Sequence, residues 1–225
     1  MFYKSIFCTL FLSLMLLGSV GYAVEVNTND DNDGGAGTCD VNVNPHCSLR
    51  EAINNSGDAT ITFDDDYTIT LDSELIVDRN VTITGTGATI IQAHASEGSA
   101  TNRVFTIKSG ITVTIENLTI RHGNTDKGGG IYIDGSQVII ENTTISGNTA
   151  TTGGGGIYIT KDSSNITIND SSIVNNTETD DNKGGAGINV FRGNVTIENT
   201  IIAGNSCKTN SSSSITSNGN NVVGS

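Results

Sequence analysis

The chain has no Trp, a single Pro, aromatics at only 5% of its residues, and 11 basic residues against 24 acidic ones. It has few Leu as well: 9 in all, with Leu10, Leu12, Leu14, Leu16 and Leu17 crowded at the start. Because Leu favours helices and β-branched residues favour strands, 9 Leu against 27 Ile excludes an all-α domain. A net charge of -13 repels phosphate backbones and argues against a nucleic-acid partner. Beyond Leu17 no apolar run approaches the roughly 20 residues that a membrane helix needs, so no transmembrane segment is expected in the mature chain. The three histidines, His46, His94 and His122, have no metal-ligand spacing. What is abundant is Thr (30), Ile (27), Gly (27) and Asn (26). The Ile and Val residues recur in short regular strings, whereas a disordered chain would be depleted of them.

Lys4, the apolar stretch over residues 6–17 and Gly21-Tyr22-Ala23 have the form of a secretory leader, with a basic start, a hydrophobic centre and a small-residue cleavage site. Residues 1–23 are therefore expected to be removed and the protein to be secreted or displayed at the cell surface. Cys8 leaves with the leader. Of the three remaining cysteines, Cys39 and Cys47 flank the only proline, Pro45, and export favours a disulfide between them over two free thiols.

Internal repetition is the strongest signal. Val81-Thr82-Ile83, Val113-Thr114-Ile115, Val138-Ile139-Ile140, Ile166-Thr167-Ile168 and Val195-Thr196-Ile197 recur at intervals of 32, 25, 28 and 29 residues. A second string follows each of the last four, as in Leu118-Thr119-Ile120 and Thr143-Thr144-Ile145. A third, preceded by glycine, comes before three of them: Ile131-Tyr132-Ile133, Ile157-Tyr158-Ile159 and Ile188-Asn189-Val190. Three very short strands per period suit a coil whose turns stack about 4.8 Å apart as three parallel sheets. The expected fold is an all-β, single-stranded parallel β-helix with at least five rungs between about Leu75 and Ile202. Alternation places Ile and Val inside, with Thr82, Thr114, Thr167 and Thr196 as an outward row broken by Ile139. Asn recurs at the strand borders: Asn117, Asn142 and Asn199, then Asn148, Asn176 and Asn205. These positions are expected to make left-handed corners and stacked amides. The acceptor patterns at Asn80, Asn117 and Asn194 also permit glycosylation.

Residues 48–56 read as the one helix, a short cap on the open coil end. Ser48 and Glu51 are spaced as a capping box, and Leu49, Ala52 and Ile53 share a face. The remaining divisions are an acidic N-terminal arm over residues 24–47 and the coil over 57–225. Cys47-Ser48-Leu49-Arg50-Glu51-Ala52 resembles the CSLREA domain. The similarity extends to Gly37-Thr38-Cys39-Asp40, Thr60-Ile61-Thr62-Phe63, the Gly-Gly-x-Ile repeats, Asn199-Thr200-Ile201-Ile202-Ala203-Gly204-Asn205 and residues 217–224. This resemblance implies a secreted or surface-attached bacterial right-handed β-helix. The Gly-Gly-x-Ile and Asn repeats are also similar to adhesins of the polymorphic outer-membrane type, without their Phe-x-x-Asn element. Proteins resembling this chain carry a cysteine just after the segment matching residues 218–224, which implies a partner for Cys207 beyond Ser225 and a truncated last rung.

Three kinds of site are suggested. A polysaccharide lyase or glycoside hydrolase needs converging carboxylates or a base beside acidic ligands. Arg121, His122, Asp126 and Lys127 are the nearest to such a group, with Arg103, Lys161, Asp162 and Arg192 on other rungs. Asn29, Asp31, Asp33 and Asp40 partly match a calcium loop, so calcium is the one cofactor considered. The Thr row is flat and regular enough to meet an ordered surface such as glycan, mineral or ice. Because the scaffold accounts for most of the chain, the expected function is non-enzymatic: adhesion or binding to glycans, cells or matrix. N-terminal sequencing of exported protein is expected to begin at Val24, and a start at Met1 would refute the leader.

Overall fold

The computed structural model describes residues 23–31, 39, 46–55, 59–180, 185–206, 215–218 and 221–223. The chain winds as a parallel β-helix. One coil runs from Thr112–Glu116 on a first sheet to Thr119–Arg121 on a second and Ile131–Ile133 on a third, then returns to the first at Gln137–Glu141. The three sheets hold eight, seven and five strands.

Alternation along each strand sets the core. In Val81–Thr84 the two apolar residues are buried and the two threonines half-buried. Register then stacks like on like, with Val81, Val113, Val138, Ile166 and Val195 in one inner column and Ile83, Ile115, Ile140, Ile168 and Ile197 in the next. Phe105, Ile131, Ile157 and Ile188 supply a third wall. β-Branched side chains suit this position because they pack on a pleated surface with little rotamer entropy to lose.

Polar residues hold the corners, and the Asn positions divide into two classes. Asn117, Asn142 and Asn199 take left-handed φ values of 59°, 45° and 48°, joined by Asp170 at 48°. They turn the chain from the first sheet to the second. Asn148 and Asn176, by contrast, are fully buried. The Asn148 Nδ2 group donates to Asn176 Oδ1 at 3.0 Å, and Asn176 Nδ2 donates to Asn205 Oδ1 at 3.0 Å. Each amide also donates to a backbone carbonyl one coil back, Ile120, Ile145 or Ile173. A second buried ladder, not anticipated from sequence, links the residues just after the first corner. The Thr143 amide donates to Ser171 Oγ, the Ser171 amide to Thr200 Oγ1, and the Thr200 amide to Asn221 Oδ1.

The amide ladder explains a departure from the three-sheet expectation. Because it fixes successive turns at matching heights, the next residues also pair, giving a narrow fourth sheet of Asn124–Thr125, Thr149–Ala150 and Thr177–Glu178. From there the chain passes through glycines that stack directly on one another. A Cβ on Gly130 would lie 2.6 Å from the Gly156 carbonyl oxygen, and one on Gly156 would lie 2.5 Å from that of Gly187. Only glycine allows this approach.

Residues 24–47, read as an arm, begin with a strand. Ala23–Val26 pairs in parallel with Ala59–Phe63 and extends the first sheet, so the stack of coils starts before Leu75. The helix, Leu49–Asn55, packs on both of these strands and on Leu75–Val77, burying Leu49, Ala52 and Ile53. The Ser48 amide donates to Glu51 Oε2 and the Glu51 amide to Ser48 Oγ, both at 3.1 Å. Cys39 and Cys47 form a disulfide with their Cα atoms 5.0 Å apart, and Asn27 Oδ1 accepts the Cys47 amide at 2.7 Å. Cys207 lies outside the described residues.

Replacing Asn176 by Ala removes a buried hub, leaves the Asn148 backbone amide without its acceptor at about 1–3 kcal/mol, and removes the side-chain donor to the Ile145 carbonyl and Asn205 Oδ1 at about 1 kcal/mol each. The expected loss in urea denaturation is therefore about 3 kcal/mol or more, whereas Thr167→Ala on the outer face should stay within about 0.5 kcal/mol of wild type.

Candidate functional site

The outer face of the first sheet carries the most regular arrangement. Thr60, Thr82, Thr114, Ile139, Thr167 and Thr196 occupy one in-register row. The predicted threonines thus share one row, interrupted by Ile139 between Thr114 and Thr167, and Thr60 extends it by one strand. Thr112, Gln137, Asn165 and Asn194 form a second, exposed row beside it. On the other side run Thr84, Glu116, Glu141, Asn169 and Glu198. Thr84 Oγ1 donates to Glu116 Oε1 at 2.7 Å. Glu116 and Glu141 are direct neighbours on adjacent strands, about 4.8 Å apart along the coil axis. Their pairing follows from the Ile-Glu-Asn repeat at residues 115–117, 140–142 and 197–199, in which the Glu immediately precedes the corner Asn.

The third sheet faces outward with Ile76, Thr106, Tyr132, Tyr158 and Asn189. The two tyrosine rings stack at 5.8 Å and 17°. The Arg103 guanidinium lies 4.7 Å from the Tyr132 centroid, and Lys127 Nζ lies 5.3 Å from that of Tyr158. Arg103 also pairs with Glu74 at 3.4 Å and Asp126 at 3.2 Å. Three of the scattered charges, Arg103, Asp126 and Lys127, therefore meet around this stack. Its ring faces are occupied by one another and by cations, which suits a structural column better than an open sugar platform. Burial, then Tyr132 and Asp126, push the Tyr158 phenol above its ordinary value. The neutral form is favoured in the fold, so this contribution holds below about pH 10 and is lost as the pH rises beyond it.

The remaining candidates stay apart. Arg121 donates to Gln92 at 2.8 Å, and His122 Nδ1 lies 3.0 Å from the His94 carbonyl oxygen. Lys161 pairs with Asp134, and Arg192 with Asp162, in the turns between the third and first sheets.

Parallel coils, inward Ile and Val columns and polar corner ladders define the architecture, and the sequence model for a right-handed β-helix region matches residues 52–225. The chain belongs to the right-handed β-helix family. No curated protein and no solved structure matches it. Members of a β-helix family share a scaffold, and the chemistry lies in what projects from it.

At the N-terminal end of this β-helix stands the suggested calcium loop. Asp33 and Asp40 lie outside the described residues, and Asn29 is exposed. Asp31 is buried and forms a two-point ion pair with Arg50, Oδ1 to Nε at 3.0 Å and Oδ2 to Nη2 at 2.6 Å. Its Oδ2 also accepts the Asp72 amide at 2.7 Å. Among the described residues no group of three or more His, Cys, Asp or Glu is placed to hold a metal. Arg50 in turn donates to the Glu74 and Ser73 carbonyls at 3.0 and 2.6 Å. Arg50→Ala leaves Asp31 buried without its cation and is expected to cost about 3–5 kcal/mol in urea denaturation. Arg50→Lys, which keeps the charge but not the fork, should recover only part of that loss.

Proposed function

We propose that this β-helix is an exported, non-enzymatic binding protein of the CSLREA type, contacting glycan or matrix at the cell surface through the outer face of its first sheet. The observation that carries the reading is the pair of in-register rows, five threonines in six positions beside Thr112, Gln137, Asn165 and Asn194. Hydroxyls and amides repeating every 4.8 Å or so offer an extended ligand many weak hydrogen bonds in parallel, which is how a flat surface gains affinity by avidity. The acidic charge favours a neutral or cationic polysaccharide over a sulfated or uronic one. Ile139 and the carboxylate margin fit a hydrated polymer better than an ice lattice, and an ice-recrystallisation assay tests that alternative. On a glycan array the mature chain is expected to retain neutral glycans. Thr114→Glu with Thr167→Glu should abolish that retention without lowering the melting temperature by more than a few degrees. No retained glycan, or retention unaffected by the double variant, would overturn the reading.

A second reading is favoured by the Glu116–Glu141 register, which brings two carboxylate residues onto adjacent strands of one face, the pair of groups that glycoside hydrolysis requires. Its test is release of reducing ends from a polysaccharide panel, abolished by Glu141→Gln.

A further inference from the structure

Among the described residues, the N-terminal edge of the second sheet is the strand Thr68–Thr70, whose inner neighbour is Ile90–Gln92. The Tyr67 carbonyl accepts the Ile90 amide at 2.8 Å, and the Leu71 amide donates to the Gln92 carbonyl at 2.9 Å. In a parallel ladder each residue turns both backbone groups to one side and its neighbour turns both to the other. Residues 67, 69 and 71 therefore face into the sheet, while the N–H and C=O groups of Thr68 and Thr70 face outward. Asp72 follows the same alternation, and its outward amide is the one held by Asp31 Oδ2 at 2.7 Å. A carboxylate thus already stands where the carbonyl of an added strand would be.

Beside this edge lies a cleft of about 330 Å³ lined by Asn29, Asp30, Asp31, Thr68, Thr70 and Asp72. Its residues from the strand side are the alternate ones that present backbone groups outward. The volume is at the small end of ligand sites, about 300–1,000 Å³, and suits a few residues of extended chain. Asp30 and Asp72 are exposed at the rim, and the exposed Asp64, Asp65 and Asp66 precede the strand. A second copy of this chain, with a net charge of -13, would be repelled from such an edge.

We propose that the Thr68–Thr70 edge binds an extended, lysine- or arginine-bearing peptide segment by β-strand addition. Backbone hydrogen bonds to Thr68 and Thr70 supply the affinity, and Asp30 and Asp72 select cationic side chains. This site is separate from the first-sheet face and does not depend on glycan binding.

The probe is a hexapeptide of alternating Lys and Val, titrated into the full mature chain by calorimetry, with residue-resolved amide exchange followed by NMR. The Lys-Val peptide is expected to bind and to slow exchange at Thr68 and Thr70. The same peptide N-methylated at alternate residues keeps its charge but lacks half its donors. It should bind about tenfold more weakly or worse, the size expected for two lost backbone hydrogen bonds. A Glu-Val peptide should not bind. Thr70→Pro removes one outward donor at an edge position that tolerates proline, and is expected to abolish binding with little change in melting temperature. Asp30→Asn with Asp72→Asn should weaken the Lys-Val peptide while leaving the edge backbone intact. Equal binding of the N-methylated peptide, no binding at millimolar concentration, or Thr68 and Thr70 amides already protected in the free protein would each overturn the proposal.

Discussion

A buried side-chain amide is satisfied only when donors and acceptors stand at fixed heights above and below it. Asn148, Asn176 and Asn205 meet that condition by partnering one another and the carbonyls one coil back. Each amide therefore bonds across a sequence separation that no local propensity controls. A slip of one residue between coils would turn an inner Ile outward and strand an amide in the core, at a cost of several kcal/mol. The intervals of 25 to 32 residues between coils are compatible with this because the extra length is taken up elsewhere. The second-to-third-sheet connection runs from Ala93 to Val104 in one coil, and the third-to-first turn spans Asp134 to Ser136 in another. The ladders hold the register, and the outer rows inherit it.

That dependence explains what could be read from the sequence. Triplets with period-2 alternation and a common spacing report each strand on its own, so the three sheets, the inner columns and the Thr row were legible. So were the helix and its Ser48–Glu51 box, which are local. The roles of polar residues at corners were not. Thr143, Ser171 and Thr200 look like ordinary strand hydroxyl residues until stacking buries them. Asn142 and Asn148 look alike in sequence, yet one is an exposed left-handed corner and the other a core hub. Likewise Arg103 and Asp126, or Glu116 and Glu141, become neighbours only when coils more than twenty residues apart are superposed in register.

The same superposition sorts the charge. Arg50, Arg79, Arg103, Lys161 and Arg192 each lie against a carboxylate. These five cations are locally neutralised, whereas Arg121 donates to Gln92 and Lys127 lies over Tyr158, so negative charge still predominates on the surface. A ligand approaching the Thr row or the coil end therefore meets mainly hydroxyls, amides and carboxylates. An anionic partner is disfavoured on both faces, whatever the detailed fit.

Finally, a coil has ends, and the ends decide how such a scaffold stays soluble. Stacking pairs the strands of interior coils on both sides, whereas a strand at the end of a stack is a template for unwanted pairing. At the N-terminal end, Arg50 and Asp31 act as substitutes for a strand. The guanidinium donates to the Ser73 and Glu74 carbonyls, and the carboxylate accepts the Asp72 amide, so the pair meets the groups that a preceding coil would have met. This gives the arginine of the Cys-Ser-Leu-Arg-Glu-Ala segment a role that its neighbours cannot fill, because only a planar fork reaches two carbonyls and a carboxylate together. The substitution stops at Asp72. Thr68 and Thr70 lie beyond the reach of that side chain, and there the edge is guarded by aspartates, which repel like chains while leaving the backbone accessible to a segment of opposite charge.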